Sequence, residues 1–303
     1  MTEARVWVGP ERSSVVAKAI ERAGGTLAEP GDANAVVWIG PPSRDLIREV
    51  VHPGIRWVQL WSAGPDWWVE HGVVDRERVW TRVEDVYAAD VAEHALAFIL
   101  GAARCLPQVA RRRRWHEGSG DRLAGHTVGI VGAGAIGRQT IERLRPFGVR
   151  TIALTRTGGP VRGADRSVGS EGLDELLRES DYVVLAAPLT PETEGLIGAR
   201  ELELIGPEGW LVNVARGRLV ITDELVEALE NGRIGGACLD VTDPEPLPDD
   251  HSLWRFDNVL ITPHAANPPG TFDEPLAGLV EENVRRFREE RELIGVIDPE
   301  RGY

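Results

Sequence analysis

The sequence predicts an α/β protein of two domains, a doubly wound parallel sheet and a smaller α/β domain, with a cleft between them. Three observations carry this. From Thr127 to His264, short runs of β-branched and apolar residues alternate with helical patterns. The first hundred residues repeat that rhythm on a smaller scale. No internal repeat, low-complexity segment or flexible linker interrupts the chain, so the two parts are expected to be joined by helices.

In chain order, strands are expected at "RVWVG" (5–9), "AVVWIG" (35–40) and "IRWVQLW" (55–61), flanking helical patterns near 13–23 and 43–51. A long helix around 88–104 leads into six further strands: "TVGIV" (127–131), "RTIALT" (150–155), "YVVLAA" (182–187), "WLVNV" (210–214), "GGACLDV" (235–241) and "NVLIT" (258–262). These runs are apolar at nearly every position, as strands covered on both faces must be. Helices are expected between them at 136–148, 173–180 and 222–232. The last has Thr222 as its expected N-cap and Asn231-Gly232 as its left-handed stop. The helix "LAGLVEENVRRFREE" (276–290) follows the last strand and is placed to return to the first domain. The expected domains are residues 1–95 plus 272–303, and residues 96–271.

Composition excludes several function classes. A chain of 303 residues, 42% hydrophobic and 27% charged, can bury a substantial core. Forty-eight acidic against 34 basic residues give a net charge of −14, which disfavours nucleic acid. The run "RRRR" (111–114) reads instead as a solvated helix end that complements the helix dipole, or as a subunit contact. The longest apolar stretch, 91–104, carries Glu93 and His94 and is too short to span a bilayer. The N-terminus enters a strand without a basic-then-apolar signal segment. Cys105 and Cys238 form no metal or redox spacing, so no metal and a reducing, cytoplasmic setting are expected.

The stretch "VGIVGAGAIGR" (128–138) contains G-x-G-x-x-G as Gly132, Gly134 and Gly137. The pattern alone is common, but here it follows a strand and opens a helix, as a dinucleotide-binding Rossmann unit requires. Gly132 makes the tight turn, Gly134 admits a pyrophosphate, and Gly137 allows close helix–strand packing. Free N–H groups of the helix start, at Ala135 and Ile136, face the phosphates. About twenty residues on, an acidic residue would bind the ribose 2′-hydroxyl of NAD(H). The sequence has Thr155-Arg156-Thr157 instead. An arginine among hydroxyls suits a 2′-phosphate, so NADP(H) is expected over NAD(H). If Arg156 only stacks on the adenine, the preference is relaxed and NAD(H) also serves.

Arg216, Glu245 and His264 each follow a different strand by a short step. In open α/β sheets ligands sit beyond the carboxyl ends of the strands. Three strands therefore deliver a guanidinium, a carboxylate and an imidazole to the edge that carries the glycine loop. A lone histidine is ordinarily a packed core residue, and one His with one Glu falls short of a metal site. The convergence points instead to His264 as a proton donor.

These segments resemble the D-isomer-specific 2-hydroxyacid dehydrogenase family over essentially the full chain. The resemblance rests on "VQLWSAGPD" (58–66), "VAEHALAFIL" (91–100), "GHTVGIVGAGAIGR" (125–138), "APLTPETEGLI" (187–197), "LVNVARGRLV" (211–220), "LDVTDPEPL" (239–247) and "DNVLITPHAA" (257–266). It implies a flavodoxin-like substrate domain beside the Rossmann domain, a homodimer through helices near 88–115, and hydride transfer between NAD(P)H and a small 2-oxo acid. Arg216 would bind the substrate carboxylate and 2-oxo oxygen, Glu245 would pair with the histidine, and His264 would be the acid/base. Backbone amides of Ala63 and Gly64 would hold the carboxylate from the other side of the cleft. Asp240, the Val214–Arg216 backbone including Ala215, and Ala266 beside His264 would meet the nicotinamide end, with Pro188 and Thr193 nearby. Ala187 stands on the adenosine side, where many relatives carry histidine or cysteine.

The residue types suit that chemistry. Imidazole exchanges protons near working pH. Arginine offers a planar fork for a carboxylate and polarises a developing alkoxide, which lysine cannot match. Each such charge contact is worth roughly 2–4 kcal/mol in the transition state. Two features stand apart from the family's pattern. Pro268-Pro269 stiffens the exit from the histidine turn, and Trp61, Trp67 and Trp68 flank the carboxylate loop as packing, as a dimer contact or as an apolar substrate wall. Other readings are a corepressor-like dinucleotide sensor and a dehydrogenase of phosphite, formate or phosphoglycerate.

Overall fold

In the computed structural model, which describes residues 1–112, 115, 120–268 and 270–301, the apolar runs pair into two wholly parallel sheets. The chain divides into two units, Met1–Tyr87 with Pro268–Tyr303, and Ala88–Asn267. The long helix that the sequence divides at 95/96 thus lies wholly in the second unit.

The first unit opens with β1 (Arg5–Pro10), α1 (Ser14–Arg22), β2 (Thr26–Leu27), β3 (Ala35–Ile39), α2 (Arg44–Val50), β4 (Trp57–Leu60), α3 (Asp66–Glu70) and β5 (Val79–Thr81). Among the described residues its sheet runs β2-β1-β3-β4-β5, the order of flavodoxin-like folds. Strands β3 and β4 are buried at every position, which explains their unbroken apolar sequence. Ser13 and Ser43 cap α1 and α2 by accepting from the N–H groups of Val16 and Leu46. Edge strand β2 is exposed at both residues and β5 has only three, too little pattern to find in the sequence. The helix Asp273–Arg288 packs on α1 and seals one face of the sheet with Leu276, Val280, Val284 and Phe287.

The second unit contains α4 (Ala88–Ala103), α5 (Leu106–Arg111), β6 (Thr127–Val131), α6 (Ala135–Leu144), β7 (Arg150–Leu154), β8 (Arg166–Val168), α7 (Leu173–Glu179), β9 (Tyr182–Leu185), α8 (Ala199–Ile205), β10 (Trp210–Asn213), α9 (Thr222–Glu230), β11 (Gly236–Leu239) and β12 (Val259–Ile261). Among the described residues the sheet has seven strands, in the order β12-β11-β10-β9-β6-β7-β8, one more than the sequence predicts. The added strand, β8, is a three-residue edge with each residue half-buried. The order reverses between β6 and β9, so the crevice where ligands bind such sheets opens beyond those two strand ends.

Two local expectations fare differently. Gly232 ends α9 at φ +62°, and the Arg233 N–H returns to the Ala228 carbonyl at 2.8 Å, a left-handed stop. Thr222 is not the N-cap. It is the first helical residue, and its hydroxyl donates to the Asp243 carbonyl at 2.6 Å, tying α9 to the loop after β11. In the arginine run, the Arg111 guanidinium donates to the carbonyls of Phe256 and Val259. Arg113, Arg114 and Pro269 lie outside the described residues. No described helix is long and apolar enough to cross a membrane.

Candidate active site

Each group of the site stands at the carboxyl end of a strand, and glycine, asparagine or aspartate shapes the turn that holds it. At the end of β6, Gly132 adopts φ +97°, and a Cβ there would lie 2.6 Å from the Ala187 nitrogen after β9. A Cβ at Gly137 would collide with the Gly132 carbonyl oxygen. Gly134 differs: no described atom lies within 4 Å of the position its Cβ would take, and the residue directly precedes α6. The first N–H groups of a helix, here at Ala135, Ile136 and Gly137, lack intrahelical partners and carry the positive end of its dipole. An open cradle over those donors fits a pyrophosphate.

Beyond β7, Arg156 and Thr157 are exposed. The Thr155 hydroxyl is buried with no hydrogen-bond partner among the described residues. A guanidinium and two hydroxyls thus follow β7 in succession. After β9, the Thr193 hydroxyl donates to the Pro188 carbonyl at 2.6 Å and closes the loop that begins at Ala187.

The loop after β10 is folded by Asn213. Its buried amide donates to the Arg216 carbonyl at 2.9 Å and accepts from the Ala215 N–H at 3.1 Å. Val214 and Ala215 are buried, while Arg216 is half-buried and donates from Nη1 to the Ala215 carbonyl at 2.7 Å. Gly217 lets this loop abut the one after β11, since a Cβ would collide with the Thr242 carbonyl. That approach brings Arg216 close enough for its charge to act on Glu245.

His264 stands in the turn after β12. Its Nδ1 lies 2.7 Å from Oε1 of Glu245, which follows β11. Its side chain keeps 45% of its surface, so it is not a packed core residue. Burial pushes the Glu245 carboxyl up. The hydrogen bond and charge of His264, a backbone hydrogen bond from Thr242 and the Arg216 charge outweigh that and hold it below the ordinary glutamate value.

Asp240, at the end of β11, is 2% exposed, and its carboxylate is occupied within the same turn. It accepts from the Thr262 hydroxyl at 2.5 Å and from the N–H groups of Ala265 and Ala266 at 2.8 and 3.1 Å. Its carbonyl accepts the His264 N–H at 2.7 Å. Asn213, Gly217, Thr262 and His94, which reaches this turn from α4, are groups around the site that sequence reasoning passed over. Gly217 adjoins Arg216 and Asn213 precedes it by three residues, which is the signal that could have found them. Among the described residues, no three His, Cys, Asp or Glu side chains are grouped to hold a metal ion.

In the first unit, Ala63 and Gly64 lie between β4 and α3, at the carboxyl edge of the five-stranded sheet. The Tyr87 hydroxyl donates to the Trp61 carbonyl at 2.6 Å, and the Ser62 carbonyl accepts from Val83 at 3.0 Å. Trp68 is a core residue, edge-on to Trp38 at 5.2 Å. Trp67 stacks on His71 at 4.1 Å and Trp61 packs on Phe272 at 5.7 Å.

Residues 96–266 match the family profile described as D-isomer specific 2-hydroxyacid dehydrogenase, NAD binding domain. The chain belongs to the D-isomer-specific 2-hydroxyacid dehydrogenase family. The dehydrogenase is similar to the D-isomer specific 2-hydroxyacid dehydrogenase of Xanthobacter autotrophicus, solved with NADPH and MES, at TM-score 0.88 and 29% identity over 100% of both chains. It is also similar to the NADPH-dependent glyoxylate/hydroxypyruvate reductase of Sinorhizobium meliloti, solved with NADP and sulfate. There the TM-score is 0.85 and the identity 26%, over 99% of this chain and 100% of that one. The glyoxylate reductase of Thermococcus gammatolerans is 37% identical over 220 residues, 69% of this chain and 66% of that protein. The dehydrogenase is an NAD(P)-dependent oxidoreductase with a Rossmann cofactor unit and a second α/β unit.

Proposed function

We propose that this dehydrogenase reduces a small 2-oxo acid of the glyoxylate or hydroxypyruvate kind to the D-2-hydroxy acid, with NADPH favoured over NADH. The observation that carries the reading is the His264–Glu245 hydrogen bond, with Arg216 on the neighbouring loop, at the strand edge that also bears the glycine loop. The relatives' names support the substrate class, and the NADPH and NADP complexes of similar structures support the cofactor.

When bound, the reduced nicotinamide supplies a hydride to the oxo carbon. Arg216 grips the carboxylate and polarises the oxo oxygen. Nδ1–H of His264 donates to Glu245, which leaves Nε2 to give its proton to that oxygen as charge develops on it. Glu245 stabilises the imidazolium before transfer. The backbone amides of Ala63 and Gly64 are the further carboxylate contact. Gly132, Gly134, Ala135, Ile136 and Gly137 hold the pyrophosphate, and Thr155, Arg156 and Thr157 take the 2′-phosphate. Ala187 stands on the adenosine side; Val214, Ala215, Asp240 and Ala266 border the nicotinamide end, with Pro188 and Thr193 nearby.

A homodimer is part of the reading. Helix α5 leaves Leu106 and Val109 52% and 43% exposed, surface that a second copy would cover. Light scattering decides between monomer and dimer.

The test is a panel of 2-oxo acids followed by NADPH absorbance and repeated with NADH. The reading expects turnover of glyoxylate or hydroxypyruvate with a higher kcat/KM for NADPH. Tight NADPH binding without turnover across the panel would favour a dinucleotide sensor.

A further inference from the structure

We infer that His94, on α4, is a positioning residue that sets the angle of the His264 turn through Thr262 and Asp240. The inference rests on the reading of His264 as the proton donor. His94 Nε2 lies 2.9 Å from Thr262 Oγ1 and 3.5 Å from Asp240 Oδ1. Its ring is held edge-on against Phe98, one turn along the helix, with centroids 4.4 Å apart.

The direction of the chain of hydrogen bonds follows from what each atom can offer. The Asp240 carboxylate is an acceptor, so at 2.5 Å the Thr262 hydroxyl must donate its only proton there. Thr262 Oγ1 is then left as an acceptor toward His94, whose Nε2 must carry the proton. His94 fixes the hydroxyl, the hydroxyl fixes Oδ1 of Asp240, and the same oxygen takes the Ala265 N–H next to the catalytic histidine.

This turn needs such support. His264 has φ +51°, a conformation that residues with a side chain seldom adopt without surrounding constraint. Asp240 supplies that constraint three times over, through Ala265, Ala266 and its own carbonyl to His264. Because Asp240 is 2% exposed, its carboxylate depends on these protein donors to hold its place. Losing the His94 N–H frees the Thr262 hydroxyl to rotate and lets Asp240 shift. Proton transfer requires hydrogen-bond reach, so a small shift of the imidazole lowers turnover. Arg216 hangs from β10, on a loop folded by Asn213, and its grip on substrate is unaffected.

The test compares His94→Phe, His94→Gln and Thr262→Val in the full-length protein, with His264→Ala run in parallel. Phenylalanine keeps the ring packing and removes the N–H, glutamine restores a donor at the same reach, and valine removes the hydroxyl at constant shape. We expect kcat to fall at least tenfold in His94→Phe and Thr262→Val, with KM for the oxo acid and Kd for NADPH within twofold of wild type. His94→Gln should return to within about threefold of the wild-type kcat. Wild-type kcat in both His94→Phe and Thr262→Val overturns the inference, as does a glutamine variant no better than phenylalanine. If His94→Phe fails to fold, Thr262→Val decides alone. An active His264→Ala would instead show that the underlying reading of the site is wrong.

Discussion

Nδ1 of His264 and Oε1 of Glu245 lie 2.7 Å apart although the residues come from the ends of different strands, β12 and β11. The pair fixes which imidazole nitrogen faces Glu245 and leaves the other for substrate. Its contribution to stability has a definite pH sense. The Glu245 carboxyl is held below its ordinary value of 4.5, so the stabilisation is fully present above 4.5 and is lost as pH falls through the lower folded value. Glu245→Gln should therefore unfold at lower urea than wild type at pH 7, with the gap closing toward pH 3. Since both side chains are nearly half exposed, the gap is small. Turnover should drop about tenfold to a hundredfold. A gap that widens in acid would contradict the pairing.

The glycine loop separates folding from binding. Gly137→Ala must push against the Gly132 carbonyl and should lower the melting temperature by several degrees. Gly134→Ala meets open space, so it should melt like wild type yet bind NADPH at least about tenfold more weakly, because the added methyl occupies the pyrophosphate cradle. Calorimetry and fluorescence titration of the two variants check both halves. Equal NADPH affinity in Gly134→Ala and wild type would remove the phosphate site from this loop.

Arg156 is expected to select the cofactor. A charge-assisted contact to a 2′-phosphate is worth about 1.5–3 kcal/mol. Arg156→Ala should thus lower kcat/KM for NADPH by roughly tenfold to a hundredfold and leave NADH unchanged. An equal loss with both cofactors would mean that the guanidinium stacks on the adenine instead.

Much of this was legible in the sequence because the responsible patterns are local. The buried strands β6, β9, β10 and β11 announce themselves as unbroken apolar runs, and Gly132 and Gly137 are forced by contacts that only glycine permits. Strands β2, β5 and β8 were not legible, being two- or three-residue segments whose pairing is set by their neighbours. Thr222 carries the composition of an N-cap, but its hydroxyl is claimed by a carbonyl 21 residues away. His94 was hidden for a similar reason. It sits in an apolar helix and gains its meaning from Thr262, 168 residues later.

Whether His264 is the proton donor is decided by the turnover of His264→Ala with glyoxylate and saturating NADPH. His264→Ala is expected to lose at least two orders of magnitude in kcat, with NADPH affinity within about twofold of wild type. A variant that reduces glyoxylate at close to the wild-type rate would contradict it.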